Sequence, residues 1–169
     1  MLSKNIVEDN YLKHKKERHS VAKKVINENY SINKDSNGNT KLYYKDREIH
    51  VFKPRKGKYL EVSYELSLQS DMVVLFKVSD VFGTDYYVVA GTKVYGFDLK
   101  PELKKVEQNN GMLYLEVYDI YPPGCMWRFL LDLGKDEEIK IPEELKFLIE
   151  QETQQDTIDL CDTIIKLLS

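Results

Sequence analysis

Residues 59–68 set the strongest constraint on the fold. Leu60, Val62, Tyr64, Leu66 and Leu68 alternate with Tyr59, Glu61, Ser63, Glu65 and Ser67. A period of two puts one set on a buried face and the other in water, so the segment reads as a strand of an antiparallel sheet solvated on one side. The flanking sequence supports this. Segments 42–44 and 49–53 read as short strands, and 72–78 is apolar on both faces, as a central strand is. Segments 86–90 and 93–97 continue the series across Gly91. Segment 112–121 follows Asn110-Gly111, and Trp127, Phe129 and Leu131 share one face of the strand after Pro122-Pro123-Gly124. Turn chemistry separates these runs. Asn37-Gly38 suits a tight hairpin, residues 53–58 hold Pro54 and Gly57, and Pro123-Gly124 is placed for a type II turn.

Both ends read as helix. Between Asn5 and Asn29 there is no Gly or Pro, and Val7, Tyr11, Val21, Ala22, Val25 and Ile26 fall near helical spacing, with His14 and Arg18 interrupting the stripe. Pro142 suits a first helical turn, Glu143 and Glu144 suit its positive dipole end, and Leu145, Leu148 and Ile149 form a stripe. Ile158, Cys161, Ile164, Ile165 and Leu168 form a second stripe. The triplets beginning at Glu102 and Glu144 each follow a proline and also read as helical. The expected fold is therefore α+β in a single domain over 1–169. A Tyr-rich antiparallel sheet of about seven strands (40–133) is flanked by a basic N-terminal helix (1–30) and an acidic C-terminal helical segment (142–169).

A chain of 169 residues buries roughly 70% of its unfolded surface and holds a core unaided. Cys125 and Cys161 lie far apart, without a CxxC or Cys/His partner, so neither a disulfide framework nor a zinc site is indicated, and a reducing cytoplasm is expected. The longest apolar runs are far short of the ~20 residues of a spanning helix, and the first residues lack a signal-peptide pattern; no membrane association is expected. Alanine occurs only at positions 22 and 90 and arginine four times, the usage of an AT-rich coding sequence such as those of low-GC bacteria and their phages.

The net charge of −3 hides a division. Residues 1–58 carry 15 Lys/Arg against 7 Asp/Glu, a balance of +8; residues 59–169 carry 10 against 21, a balance of −11. Such asymmetry hints at a charged partner. Lys13, Lys15, Lys16, Arg18, Lys23 and Lys24 form one basic group, and Lys53, Arg55, Lys56 and Lys58 form another near Tyr43 and Tyr59. Cations neutralise phosphates and rings stack on bases, so single-stranded nucleic acid is the expected partner of this half. On the acidic half, Glu143, Glu144, Glu150, Asp156 and Asp159 suit a basic protein, and Ile158, Cys161, Ile165 and Leu168 form a homodimer stripe. Structural readings compete throughout, because lysines solvate helices and tyrosines pack sheets.

Catalytic signals are weak. His14 and His19 are five apart and point away from each other on a helix, His50 is expected to face solvent, and Cys125 has no base near it in sequence. Glu61, Glu65, Glu116 and Asp119 are the carboxylates that a metal-dependent nuclease would bring together. No phosphate-binding glycine loop, GxSxG or HExxH is present. The expectation is a small non-catalytic cytoplasmic binding protein of accessory, inhibitor or immunity type, with no cofactor or bound metal; the alternative is a nuclease or other enzyme.

Overall fold

A computed structural model of the chain describes residues 22–121, 124–152 and 160–169. The architecture differs from a single seven-stranded sheet between helices. Among the described residues, twelve strands form three separate four-stranded sheets, and two helices follow them. The strands are β1 (Ala22–Val25), β2 (Tyr30–Lys34), β3 (Thr40–Tyr44), β4 (Arg47–Phe52), β5 (Glu61–Leu66), β6 (Val73–Asp80), β7 (Gly83–Ala90), β8 (Lys93–Phe97), β9 (Glu102–Asn109), β10 (Met112–Asp119), β11 (Cys125–Asp132) and β12 (Glu137–Ile139). The helices are α1 (Glu143–Glu152) and α2 (Leu160–Leu168). The sheets run β1-β2-β3-β4, β5-β6-β7-β8 and β12-β11-β10-β9, so each strand pairs with a neighbour in sequence.

The breaks between sheets fall at segments that hold proline. Residues 53–60 contain Pro54 and lie between β4 and β5; residues 98–101 end in Pro101 and lie between β8 and β9. Proline donates no ladder hydrogen bond, so these segments end one sheet instead of turning within it. Glu102 opens β9 rather than a helix.

The expected N-terminal helix is corrected at its C-terminal end. Its portion up to residue 21 lies outside the described residues, but Ala22–Val25 is a strand paired antiparallel with β2, from Ala22↔Lys34 to Val25↔Ser31. Asn27 turns the chain, its Oδ1 accepting from the amides of Asn29 (2.8 Å) and Tyr30 (2.9 Å). The helical spacing of Val21, Ala22, Val25 and Ile26 is overridden by this turn and ladder, since weak local propensity yields to tertiary pairing.

Contacts divide the chain into two compact units, and each is described by itself. One comprises Met1–Tyr64, so far as it is described, with Lys77–Thr84; the other comprises Glu65–Phe76 with Asp85–Ser169. In the first, Tyr30, Ile32, Leu42, Phe52 and Leu60 are buried. The β2–β3 loop holds Asp35, whose Oδ1 accepts from the amides of Asn37 (2.8 Å) and Asn39 (3.0 Å). Gly38 sits at φ 85°, and a Cβ there would run into the Lys58 carbonyl. Gly38→Ala therefore meets both a left-handed backbone and a backbone clash, and is expected to lower stability by about 2–3 kcal/mol in urea titration.

In the second unit, Val73, Val74, Leu75 and Phe76 of β6 are buried, and β10 is buried along most of its length. On one face of the β9–β12 sheet, Met112, Tyr114 and Leu130 pack with Ile141, Leu145, Ile149, Leu160, Cys161 and Ile164 of the helical segment. On the other face Phe129 stacks on Tyr95 at 3.9 Å between ring centres, and Leu113, Leu115 and Val117 are fully buried. The α2 start is pinned to the β9–β10 hairpin. Glu107 Oε2 accepts from the Cys161 amide (3.0 Å), and the amides of the Asn109 and Asn110 side chains donate to Asp162 (2.9 and 3.1 Å). Carboxylates at a helix N-terminus meet its positive dipole end.

Two apolar expectations change. Alternation in β5 holds to Tyr64, but Leu66 is exposed and Leu68 is 100% exposed. Alternation records which way side chains point, and at the end of an edge strand nothing covers them. Leu148 of the α1 stripe is exposed as well.

Candidate binding surface

The first unit carries a tip built from two segments. Residues 53–59 leave β4 through Pro54 and turn at Gly57 (φ 71°). The second segment is the β6–β7 turn, Asp80-Val81-Phe82-Gly83, with Gly83 at φ 145°. Asp80 joins them. Its Oδ2 accepts from Arg55 Nε (2.7 Å) and from the Arg55 amide (2.9 Å), and its Oδ1 from Arg55 Nη2 (2.8 Å) and the Phe82 amide (2.8 Å). Arg55 Nη2 also reaches the Gly83 carbonyl (3.3 Å), and the guanidinium lies over the Phe82 ring, 5.9 Å from its centre. Such a fork-to-carboxylate pair fixes orientation as well as charge. The carboxylate is 4% accessible, sealed by the groups it binds.

The Arg55 hydrogen bonds hold the Asp80 carboxyl well below the ordinary carboxylate value of 3.8. Because the folded value is depressed, the clamp's contribution is complete above about pH 3.8 and is lost only as pH falls through the lower folded value. The Arg55 and Phe82 amides are expected to keep their hydrogen-exchange protection from about pH 7 down to about pH 4. Loss of protection by pH 4 would contradict the clamp.

Around it, Lys53, Lys56 and Lys58 are exposed, and no ion pair or hydrogen bond of their side chains is found among the described residues. Val81 and Phe82 are exposed at the turn, Phe82 to 64%. Tyr59 is exposed and donates to Glu61 Oε2 (2.9 Å), which, with the charge of Glu61, raises its phenol above the ordinary value.

The other basic residues go elsewhere. Lys13, Lys15, Lys16 and Arg18 lie outside the described residues. Lys23 pairs with Asp46 (2.9 Å) and Lys24 stands over the Tyr64 ring (5.1 Å). Tyr43 does not flank the tip: the register pairs Thr40 with Phe52 but Tyr43 with Glu48, so Tyr43 is half-buried at the opposite end of β3, about 10 Å along the strand. A recess of about 140 Å³ lies at that end, lined by Lys23, Lys45, Glu28 and Asp46 among others. Its two cations face two anions, so it does not select an anionic ligand.

On the acidic side, two of the five expected partner residues form ion pairs within the chain while staying exposed. Glu143 accepts from Lys146 (3.0 Å), Glu150 from Arg128 (2.8 Å), and Glu144 is exposed. Asp156, Asp159 and Ile158 lie outside the described residues. Cys161 is fully buried and Ile165 packs against the same core, so neither offers a dimer face, whereas Leu168 is exposed.

The carboxylates that would serve a nuclease take separate partners: Glu61 with Tyr59, Glu65 with Lys100 (2.7 Å), and Glu116 with Arg128 (3.4 Å). Asp119 Oδ1 accepts from the Tyr121 amide (3.1 Å). Among the described residues no group of three His, Cys, Asp or Glu converges as a metal site. His50 is half-buried edge-on to Phe52, with 4.7 Å between ring centres, and burial lowers its basicity. It therefore does not simply face solvent. Cys125 is half-buried, and the Pro122-Pro123 part of the turn before it lies outside the described residues.

The sequence reading missed Val81, Phe82 and Asp80. Their signal was available. Val81-Phe82 is an apolar pair at a two-residue turn where Asn and Gly are usual, a substitution that leaves large side chains in water. No protein-family model, curated protein or solved structure matches the chain. No described helix is long and apolar enough to cross a membrane.

Proposed function

We propose that the chain is a non-catalytic cytoplasmic binding protein that engages single-stranded nucleic acid through the tip formed by residues 53–59 and 80–83. One observation carries the reading: three uncompensated lysines and an exposed Phe82 sit on two loops that the Asp80 carboxylate holds together, accepting three hydrogen bonds from Arg55 of one loop and one from Phe82 of its own. Lysines supply phosphate neutralisation; Phe82 and Tyr59 supply faces on which bases stack without regard to sequence. Two thiols without a disulfide suit a reducing compartment. The acidic-helix reading has less support, because Glu143 and Glu150 are already paired.

The test is fluorescence titration with an oligothymidylate of about ten nucleotides at several salt concentrations. Affinity is expected to fall with a log–log slope near −2, the value for about three phosphate contacts on a single strand. No binding at low salt overturns the reading.

A further inference from the structure

We propose that Asp80, an acid set among lysines, is a positioning residue for ligand binding: it grips Arg55 so that the lysine-bearing loop and the Val81-Phe82 turn present one surface, while Arg55 itself contacts no phosphate. The proposal rests on the nucleic-acid reading above and goes further, because it reverses the sign that charge alone would give. Removing Asp80 makes the tip more positive by one charge, and simple Coulomb attraction then predicts tighter binding of an anion.

The geometry argues the opposite. Both oxygens of Asp80 are engaged, by Nε, Nη2 and the amide of Arg55 and by the amide of Phe82, which lies across the turn. One carboxylate thus fixes the backbone of both segments. Arg55 is the only cation of the loop whose fork is committed in this way, with Nη2 extending to the Gly83 carbonyl and the guanidinium over the Phe82 ring. Without the carboxylate, both segments must be ordered anew on each binding event, and ligand affinity bears that entropy.

The experiment compares the unmodified chain with Asp80→Asn and Arg55→Lys in oligothymidylate titrations over a range of salt. Far-UV circular dichroism and the exchange rates of the Arg55 and Phe82 amides are followed in parallel. Asp80→Asn is expected to weaken binding about tenfold or more despite its added positive charge, with the salt slope unchanged, because no phosphate contact is removed. Arg55→Lys keeps the charge but loses the planar fork, and is expected to weaken binding similarly. Should Asp80→Asn fail to fold, Arg55→Lys alone decides. Tighter or equal binding by folded Asp80→Asn, wild-type affinity in Arg55→Lys, or a shallower salt slope in either overturns the positioning role. Absence of binding by the unmodified chain overturns the nucleic-acid reading and, with it, this inference.

Discussion

Reversing the three tip lysines, Lys53→Glu, Lys56→Glu and Lys58→Glu together, is expected to weaken oligothymidylate binding at least about a hundredfold at 0.1 M salt. Each single-strand phosphate contact releases about 0.7 counterion, worth about 1 kcal/mol at that salt, so losing three costs about 3 kcal/mol before any repulsion from the new carboxylates. The side chains concerned are exposed and make no ion pair among the described residues. Folding should therefore be nearly untouched, with a melting temperature within a few degrees of wild type. A triple variant that binds normally would remove the tip from the account; a triple variant that unfolds would show these lysines to be structural.

The second large effect concerns stability. Arg128→Ala is expected to cost about 3–4 kcal/mol in denaturant unfolding. Arg128 stands opposite Glu116 in the β10–β11 register, with its side chain 9% exposed, and it reaches out to Glu150 on α1 (2.8 Å). Glu116 is itself buried, and burial raises its carboxyl above the ordinary 4.5, against the opposing pull of Arg128 and Lys105. Removing the guanidinium leaves a buried carboxylate without its main partner and frees α1 from its polar tie to the sheet. The pH dependence separates these effects. A raised folded value means that Glu116 contributes stability below about pH 4.5, which is lost as pH rises through the folded value. That loss should be larger and extend to higher pH in Arg128→Ala. In Glu116→Gln it should vanish, so an Arg128→Ala profile parallel to that of Glu116→Gln would contradict this assignment.

Much of the β structure was legible in the residues. The two-sided apolar run 72–78 becomes β6, buried on both faces at the centre of its sheet. Asn110-Gly111, both at positive φ (53° and 77°), turns β9 into β10. What could not be read was how strands group into sheets. A proline-bearing loop looks the same in sequence whether it turns within a sheet or ends it, and the difference rests on pairings far along the chain. The same holds at Lys45-Asp46, which take φ of 47° and 64° without glycine or asparagine, and at Ala22–Val25, where helical spacing was outweighed by a ladder to β2.

The candidate site divides in the same way. Lys53, Lys56 and Lys58 were visible as a local cluster, because charge density is a local property. Arg55 belonged to that cluster by composition, but its partner is Asp80, 25 residues later, and that pairing converts it from a prospective phosphate contact into a brace. Tyr43 was placed at the tip by proximity in sequence, and antiparallel register carries it to the far end of its strand. Phe82 required knowing that the β6–β7 turn meets the 53–59 loop.

The most direct measurement is a hydrogen-exchange footprint of the chain with and without saturating oligothymidylate. New protection is expected to be confined to residues 53–59 and 80–83, with the α1 and α2 amides unchanged. Protection centred on the helices or on the recess by Lys23 and Asp46, or a bound oligonucleotide that leaves both tip segments unprotected, would contradict it.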